Sequence, residues 1–413
     1  MSDTAQNDQW VGKWLVFSAV SLVFFFLNLA TFTSLGVVLF TMVGELHWKM
    51  AAAGFSFSLL GIACGLSSPL PTLTMRRFGA RTTICVGTGL LLAGFYLASI
   101  SQSIAIFYVA MVLIGIGYSL AGNVPGVALI AVWFEQGSSR IIGFYLMLGA
   151  LGAAFGPPIV EAIVSGSGGW RGHWTAMAVA SAVIGVFCLL FVRDKIVPSA
   201  VPGDEASAID TSGDWTPKKA IFTPQFMLVA AAMAGTMACI TTNSSVGFSH
   251  LVKFGATPAF AATILSVIAI TATLVKGVAG RLCESVPSPH VLAYGMVLQA
   301  AGNVLLAFAS TPTLQYSAAI VFGIGWGLAY VAGTVVLLDY FGPAVGSKIL
   351  SVVWLMTTVA AAGPLAAGII ADRYGTFSPI FNVYAVLLLA LAIPIYLMRE
   401  PVRVSGASAT TAG

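Results

Sequence analysis

The sequence predicts an all-α membrane protein of twelve transmembrane helices, arranged as two pseudo-symmetric bundles of six. Three observations predict it. Of 413 residues, 58% are hydrophobic and only 8% charged, whereas a soluble chain carries about a quarter. Twelve apolar runs approach or exceed the roughly 20 residues that cross a bilayer core as helix. Those runs fall six before and six after one polar stretch, and the two sets echo each other.

The first six runs lie near 14–40, 53–73, 82–100, 105–132, 141–165 and 175–192. The second six lie near 221–248, 258–280, 290–310, 314–338, 348–371 and 379–397. Between them, "RDKIVPSAVPGDEASAIDTSGDWTPKK" (193–219) is rich in Pro, Ser and acidic residues and has no apolar periodicity, the composition of a flexible linker. The expected order is therefore a tail (1–13), a first bundle (14–192), a linker (193–220), a second bundle (221–397) and a tail (398–413). The first run is too long for the apolar region of a cleavable signal.

Orientation follows from Lys and Arg, which concentrate on cytoplasmic loops. With the amino terminus inside, thirteen of the eighteen basic residues fall on the cytoplasmic side and four (Lys49, Arg171, Lys253 and Arg373) outside. Both termini are then cytoplasmic, as in a multi-pass protein of the inner membrane. The eighteenth, Lys276, falls on neither side, being set in "ITATLVKGVAGRLCES" (270–285).

The halves repeat. "GIGYSL" (115–120) matches "GIGWGL" (323–328) at an offset of 208, and "AAFGPP" (153–158) matches "AAAGPL" (360–365) at 207. Trp133-Phe134 and Tyr340-Phe341 keep the second offset. A constant offset places the fourth and fifth runs of each half in correspondence.

Twelve spans as six plus six, a central linker and the basic loop "MRRFGAR" (75–81) resemble the major facilitator superfamily. Its loop pattern G-x-x-x-D-R-x-G-x-R is matched by Arg77, Gly79 and Arg81, with Thr72 for the glycine and Arg76 for the aspartate. The second-half counterpart keeps Gly280 and an acid, Glu284. The resemblance implies that these five residues act in conformational change. It also implies a substrate site near mid-membrane between the halves.

An ionisable group in a span is costly, about 2.5–3.5 kcal/mol for a central lysine. Lys276 lies roughly 7–8 Å inside its helix end at 1.5 Å per residue before Arg281. One reading is snorkelling to headgroups. The other is substrate binding, since Arg281 already anchors the helix, and Gly277 and Gly280 suit close helix approach. The pattern further resembles the monocarboxylate transporter and oxalate/formate antiporter branches, where an arginine four residues before the loop glycine pairs with a substrate carboxylate. Lys276 stands at that position, and Thr357, three after Trp354, stands where the oxalate branch has a second cation. One cation suits one carboxylate. Lysine, unlike arginine, can also release its proton.

Polar and aromatic residues at mid-span fill out the expected shell: Asn28, Tyr118, Asn123, Tyr145, Asn243 in "TTNSS", Tyr330 and Trp354. Each can instead make an interhelical hydrogen bond or pack. His250 and Lys253 end the seventh run, where they form either an interfacial pair or an anion funnel. Glu161, after Gly156-Pro157-Pro158, either carries a coupling proton or bonds backbone freed by the prolines. The Gly-Pro pairs at 156–157 and 363–364 are expected to bend their helices.

Other classes are excluded. No nucleophile–base set, metal-ligand cluster or phosphate-binding glycine loop occurs, so neither an enzyme nor an ATP-driven pump is expected, and no cofactor or metal. The five cysteines have no CxxC spacing and suit small core positions. The net charge of +4 is modest and matters less than its placement, and no nucleic-acid partner is expected. The expected function is secondary transport of a small organic monocarboxylate, with a proton or by exchange, in a protein working as a monomer within the lipid bilayer. The alternatives are an exporter of amphipathic compounds and a non-transporting membrane receptor.

Overall fold

The computed structural model describes residues 2–134, 138–194 and 215–401, and among them there is no strand. Most of the expected linker and the end of the carboxy-terminal tail lie outside the described residues. The first half comprises α1 (Ser2–Ala30), α2 (Leu35–Leu46), α3 (Met50–Leu66), α4 (Leu70–Ser99), α5 (Ile104–Ala121), α6 (Asn123–Trp133), α7 (Ser138–Val164) and α8 (Gly169–Phe191). The second comprises α9 (Pro217–Ile221), α10 (Pro224–Lys253), α11 (Pro258–Ser285), α12 (Ser288–Ala307), α13 (Pro312–Phe341), α14 (Pro343–Met356), a 3₁₀ turn (Thr357–Ala361), α15 (Ala362–Tyr374) and α16 (Ser378–Tyr396). Eleven helical stretches are long and apolar enough to cross a membrane, and Met50–Leu66 is a shorter apolar helix. Together they account for the twelve runs of the sequence.

Local chemistry sets the boundaries. Helices α9, α10, α11 and α13 all begin at a Thr-Pro pair, with threonine as N-cap and proline in the first helical position. The threonine oxygen accepts an otherwise orphaned backbone N–H, while proline has none to lose. The first run, expected as one span, is broken between α1 and α2. There the hydroxyls of Thr31 and Thr33 donate back to the carbonyls of Leu27 and Asn28 at 2.6 and 2.8 Å. Hydroxyls that bond the preceding turn compete with helix propagation and bend it.

The fourth run breaks at Gly122 (φ −82°, ψ −136°), dividing α5 from α6. The eleventh tightens into the 3₁₀ turn just before Pro364. A proline ring clashes with the carbonyl four residues back, here that of Ala360, which accepts the Thr241 hydroxyl of α10 at 3.1 Å. The bend expected of Gly363-Pro364 is thus displaced toward the 3₁₀ turn, whereas α7 runs on through Pro157 and Pro158 as helix.

The halves meet through α2, α3 and α7 on one side and α10, α11, the 3₁₀ turn and α15 on the other. Glycines make the approach possible. A Cβ on Gly54 would stand 2.2 Å from the carbonyl oxygen of Pro364, and one on Gly368 would stand 2.3 Å from that of Met50.

Candidate functional site

Lys276 projects from α11 between two aromatic faces of α13. Its Nζ lies 4.6 Å from the ring centroid of Trp326 and 4.5 Å from that of Tyr330. These rings sit one turn apart, so they share a helix face and form a continuous wall. Tyr330 in turn lies 5.4 Å from Trp354 of α14. Tyr118 of α5 is near both Cys64 and Tyr330, which places a first-half side chain beside the second-half cluster. Its ring meets Phe32 edge-on at 5.3 Å. Lys276 has no carboxylate partner among the described residues. Cation–π contact supplies about 0.5–2 kcal/mol to a cation so placed, less than a full ion pair offers at such depth.

Next to this cluster, between the halves, lies a small cavity of about 20 Å³, enough for one water-sized group. Thr33 and Pro157 of the first half and Asn243, Ala269, Phe322 and Trp326 of the second are among its lining residues. Asn243 is 3% exposed, and neither its Nδ2 nor its Oδ1 has a hydrogen-bond partner. The Trp326 indole nitrogen is likewise buried without an acceptor. Trp326 is common to cavity and cation, so Lys276, Trp326, Tyr330 and Asn243 form one continuous feature.

Other expected site residues fall elsewhere. Tyr145 is fully buried; its hydroxyl donates to the Gly122 carbonyl at 3.3 Å and its ring stacks on Phe24 at 4.7 Å. It satisfies the backbone broken between α5 and α6 rather than facing a substrate. Asn28 donates to the Phe24 carbonyl in its own helix at 2.8 Å. Asn123 is exposed at the start of α6. Thr357 donates to the Trp354 carbonyl at 2.7 Å as it opens the 3₁₀ turn.

His250 does not line an aqueous mouth. It is 0% exposed, its Nε2 lies 2.7 Å from the Leu306 carbonyl oxygen, and its ring packs against Phe254 and Phe381. Burial against aromatic rings replaces both the interfacial pair and the funnel expected of it. Lys253 is exposed but donates to the Gly375 carbonyl at 3.3 Å and lies over Phe377. It thus neutralises the end of α15, where a cation is favoured. Glu161 is half-buried, and its carboxylate bonds no backbone group among the described residues.

The loop residues form a clamp inside the first half. Gly79 adopts φ +85°, which admits the Asp194 carboxylate; Asp194 then accepts the N–H groups of Ala80 and Arg81 at 2.8 and 3.1 Å. The Arg81 guanidinium donates to the Leu189 carbonyl at the end of α8. Arg77 is exposed, over Phe78. Asp194, from the end of the sixth span, therefore supplies the carboxylate that Arg76 denies the loop. Gly280 and Glu284 lie near the end of α11 with open space at the former and an exposed side chain at the latter.

Twelve apolar helices in two halves that close over a small cavity, with a lysine in a span beside it, define a membrane transporter fold. The sequence profile described as Major Facilitator Superfamily matches residues 21–252 and 244–413, and the chain belongs to that superfamily. It is 27% identical over 222 residues to the uncharacterized transporter YycB of Bacillus subtilis, a match spanning 52% of this chain and 51% of YycB. It is 25% identical to the uncharacterized MFS-type transporter YhjX of Escherichia coli, over 67% of this chain and 68% of that one. It is 23% identical to YddS of Bacillus subtilis, also an uncharacterized MFS-type transporter, over 83% and 81%. The crystal structure of the nucleoside transporter NupG superposes with a TM-score of 0.71 at 16% identity, covering 94% of this chain and 98% of that one. A point mutant of NupG superposes with a TM-score of 0.75, also at 16% identity, covering 92% and 99%.

Sequence reasoning missed three residues. Trp326 lies within the repeated "GIGWGL", one turn before Tyr330, and the shared face was the available signal. Asp194 and Asp372 stand beside basic residues in "VRDK" and "ADRYG", where charge alone suggested only loop.

Proposed function

We propose that the protein is a secondary transporter that moves a small organic monocarboxylate across the membrane by alternating access. One observation carries the reading: a lysine ammonium set in a membrane-spanning helix, held only by the faces of Trp326 and Tyr330 among the described residues. A substrate carboxylate supplies the missing charge, and pairing offsets the cost of keeping the cation there. The single cation suits one carboxylate. Because lysine can release its proton, anion binding and proton movement can be coupled at this residue, with exchange as the other mode. The basic loop around Arg81 faces the cytoplasm by the charge rule, so the Met50 end faces outward. Each copy of the chain holds a whole site, so a monomer suffices.

The test is a thermal-shift screen of the purified protein against monocarboxylates, dicarboxylates and hydrophobic cations, followed by uptake into proteoliposomes. Monocarboxylates should raise the melting temperature and be taken up. Stabilisation by hydrophobic cations alone would favour an exporter of amphipathic compounds, and no uptake of any stabilising ligand would favour a receptor.

A further inference from the structure

The cavity beside Lys276 holds polar atoms that the ammonium does not explain. Asn243 keeps both a donor and an acceptor unpaired while nine-tenths or more buried, and Trp326 adds an unpaired N–H at the same cavity. An unsatisfied buried polar group costs about 1–3 kcal/mol, so three such atoms around one cavity are a persistent expense unless something occupies it. Apolar side chains make up much of the rest of the lining, with Ile240, Leu265, Ile268 and Phe322 among them. Among the described residues no cationic side chain lines it.

The cavity and the cation are offset along the membrane. Ala269 lines the cavity and precedes Lys276 by about two turns of α11, roughly 10 Å between Cα positions. Helical side chains lean toward the amino-terminal end of their helix, so the lysine chain runs toward the cavity and shortens that gap. Trp326 bridges the remainder: its ring face lies against Nζ, the same residue lines the cavity, and its N–H is unpaired.

We infer that the substrate has two ends: a carboxylate that meets Lys276, and a neutral hydrogen-bonding group, a hydroxyl, that enters the cavity to meet Asn243 and the Trp326 N–H. This rests on the monocarboxylate reading above and deepens it. A hydroxyl donates one hydrogen bond and accepts others, so it can satisfy Asn243 Oδ1 and an N–H of Asn243 or Trp326 together. A second carboxylate can only accept; it would leave Asn243 Oδ1 without a donor and would find no cation in the lining to offset its charge. A methyl group would leave all three atoms unpaired. The offset suits a chain of about four carbons rather than two. Asn243 and Trp326 are thus specificity residues, and Lys276 is the charge partner.

A trapped water is the rival occupant, since buried waters commonly satisfy such groups. A water would serve an acid with a methyl end almost as well as one with a hydroxyl end, and this separates the two accounts. The experiment measures affinities of 4-hydroxybutyrate, butyrate and succinate for the purified wild-type protein by calorimetry. The hydroxy acid should bind at least about tenfold more tightly than butyrate, and succinate more weakly than either.

In Asn243→Leu the loss should fall mainly on the hydroxy acid, bringing the ratio to within about twofold. Trp326→Phe keeps a ring beneath Lys276 and removes only the N–H, so it should lower the ratio in part even if the leucine variant fails to fold. A purely structural role for Asn243 would weaken both acids alike. Equal wild-type affinity for hydroxybutyrate and butyrate, or an undiminished ratio in both variants, overturns the inference alone. No binding of any of the three acids overturns the monocarboxylate reading and the inference with it.

Discussion

Asp372 and Met50 are joined across the two halves of the protein. The Asp372 carboxylate of α15 accepts the backbone N–H of Met50 at 2.9 Å and that of Ala51 at 2.9 Å, at the start of α3. The first N–H groups of a helix have no partner within it, and the helix dipole makes that end positive. A carboxylate from one half therefore caps a helix of the other, and the alternating access proposed above requires this cap to break.

An exposed cap of this kind contributes about 1 kcal/mol. Asp372→Ala should shift the equilibrium toward opening at the Met50 end by roughly fivefold. Ser249 lines the small cavity between the halves beneath this cap and is 6% exposed. In a background without native cysteines, a Ser249→Cys probe should react with an impermeant maleimide about fivefold faster once Asp372 is replaced. Equal labelling rates would mean that the cap has no weight in gating.

Gly54 tests the same seal by volume. A Cβ there would stand 2.2 Å from a backbone oxygen of Pro364, which cannot turn aside as a flexible side chain does. Overpacking of this sort costs about 1–3 kcal/mol, and separating the halves relieves it. Gly54→Ala should accordingly label the Ser249→Cys probe at least about fivefold faster and slow turnover, with the protein still folded. Turnover equal to wild type would show that the helices shift without opening.

Tyr145 and His250 carry stability rather than recognition. Tyr145→Phe removes the hydrogen bond to Gly122, worth about 1 kcal/mol, and should lower the melting temperature by up to about 4 °C. Carboxylate affinity should stay within about twofold of wild type. His250→Gln should also lower the melting temperature, because the ring fills an aromatic pocket, yet leave the ionic-strength dependence of KM as it was. A KM that rises only at low salt would restore His250 to an electrostatic role.

These two residues also show where sequence stops. Tyr145, Tyr330, Asn243 and His250 all read alike, as polar side chains in apolar runs. What separates them is whether a carbonyl stands opposite. For Tyr145 it belongs to Gly122 and for His250 to Leu306, 56 positions away, while Asn243 has none. No spacing rule reaches those distances. The twelve spans were legible because bilayer thickness acts on each run separately. The halves' correspondence was legible because glycines at Gly115, Gly323 and Gly325 meet backbone or Cβ atoms of their neighbours and so tolerate no larger residue. The break between α1 and α2 was written in Thr31, Thr33 and Ser34, but hydroxyls are equally at home inside a continuous span.

Lys276 gives the most decisive prediction. Lys276→Gln keeps a polar side chain of similar reach and removes the charge, so carboxylate-induced stabilisation should vanish while the protein remains folded. Lys276→Arg keeps a cation that stacks well on Trp326 and Tyr330. It should retain carboxylate binding but lose any dependence of that binding on a proton leaving the side chain, because arginine does not release one. Lys276→Met offers an unbranched apolar chain against the same rings. With no charge to bury, the empty protein should melt no lower than wild type and as much as a few degrees higher, while losing its response to carboxylates. The readout is the melting temperature of all four proteins, with and without a monocarboxylate, across the pH range in which they stay folded. If Lys276→Gln is stabilised by the acid as strongly as wild type is, the ammonium serves the helix alone and the proposed substrate class fails.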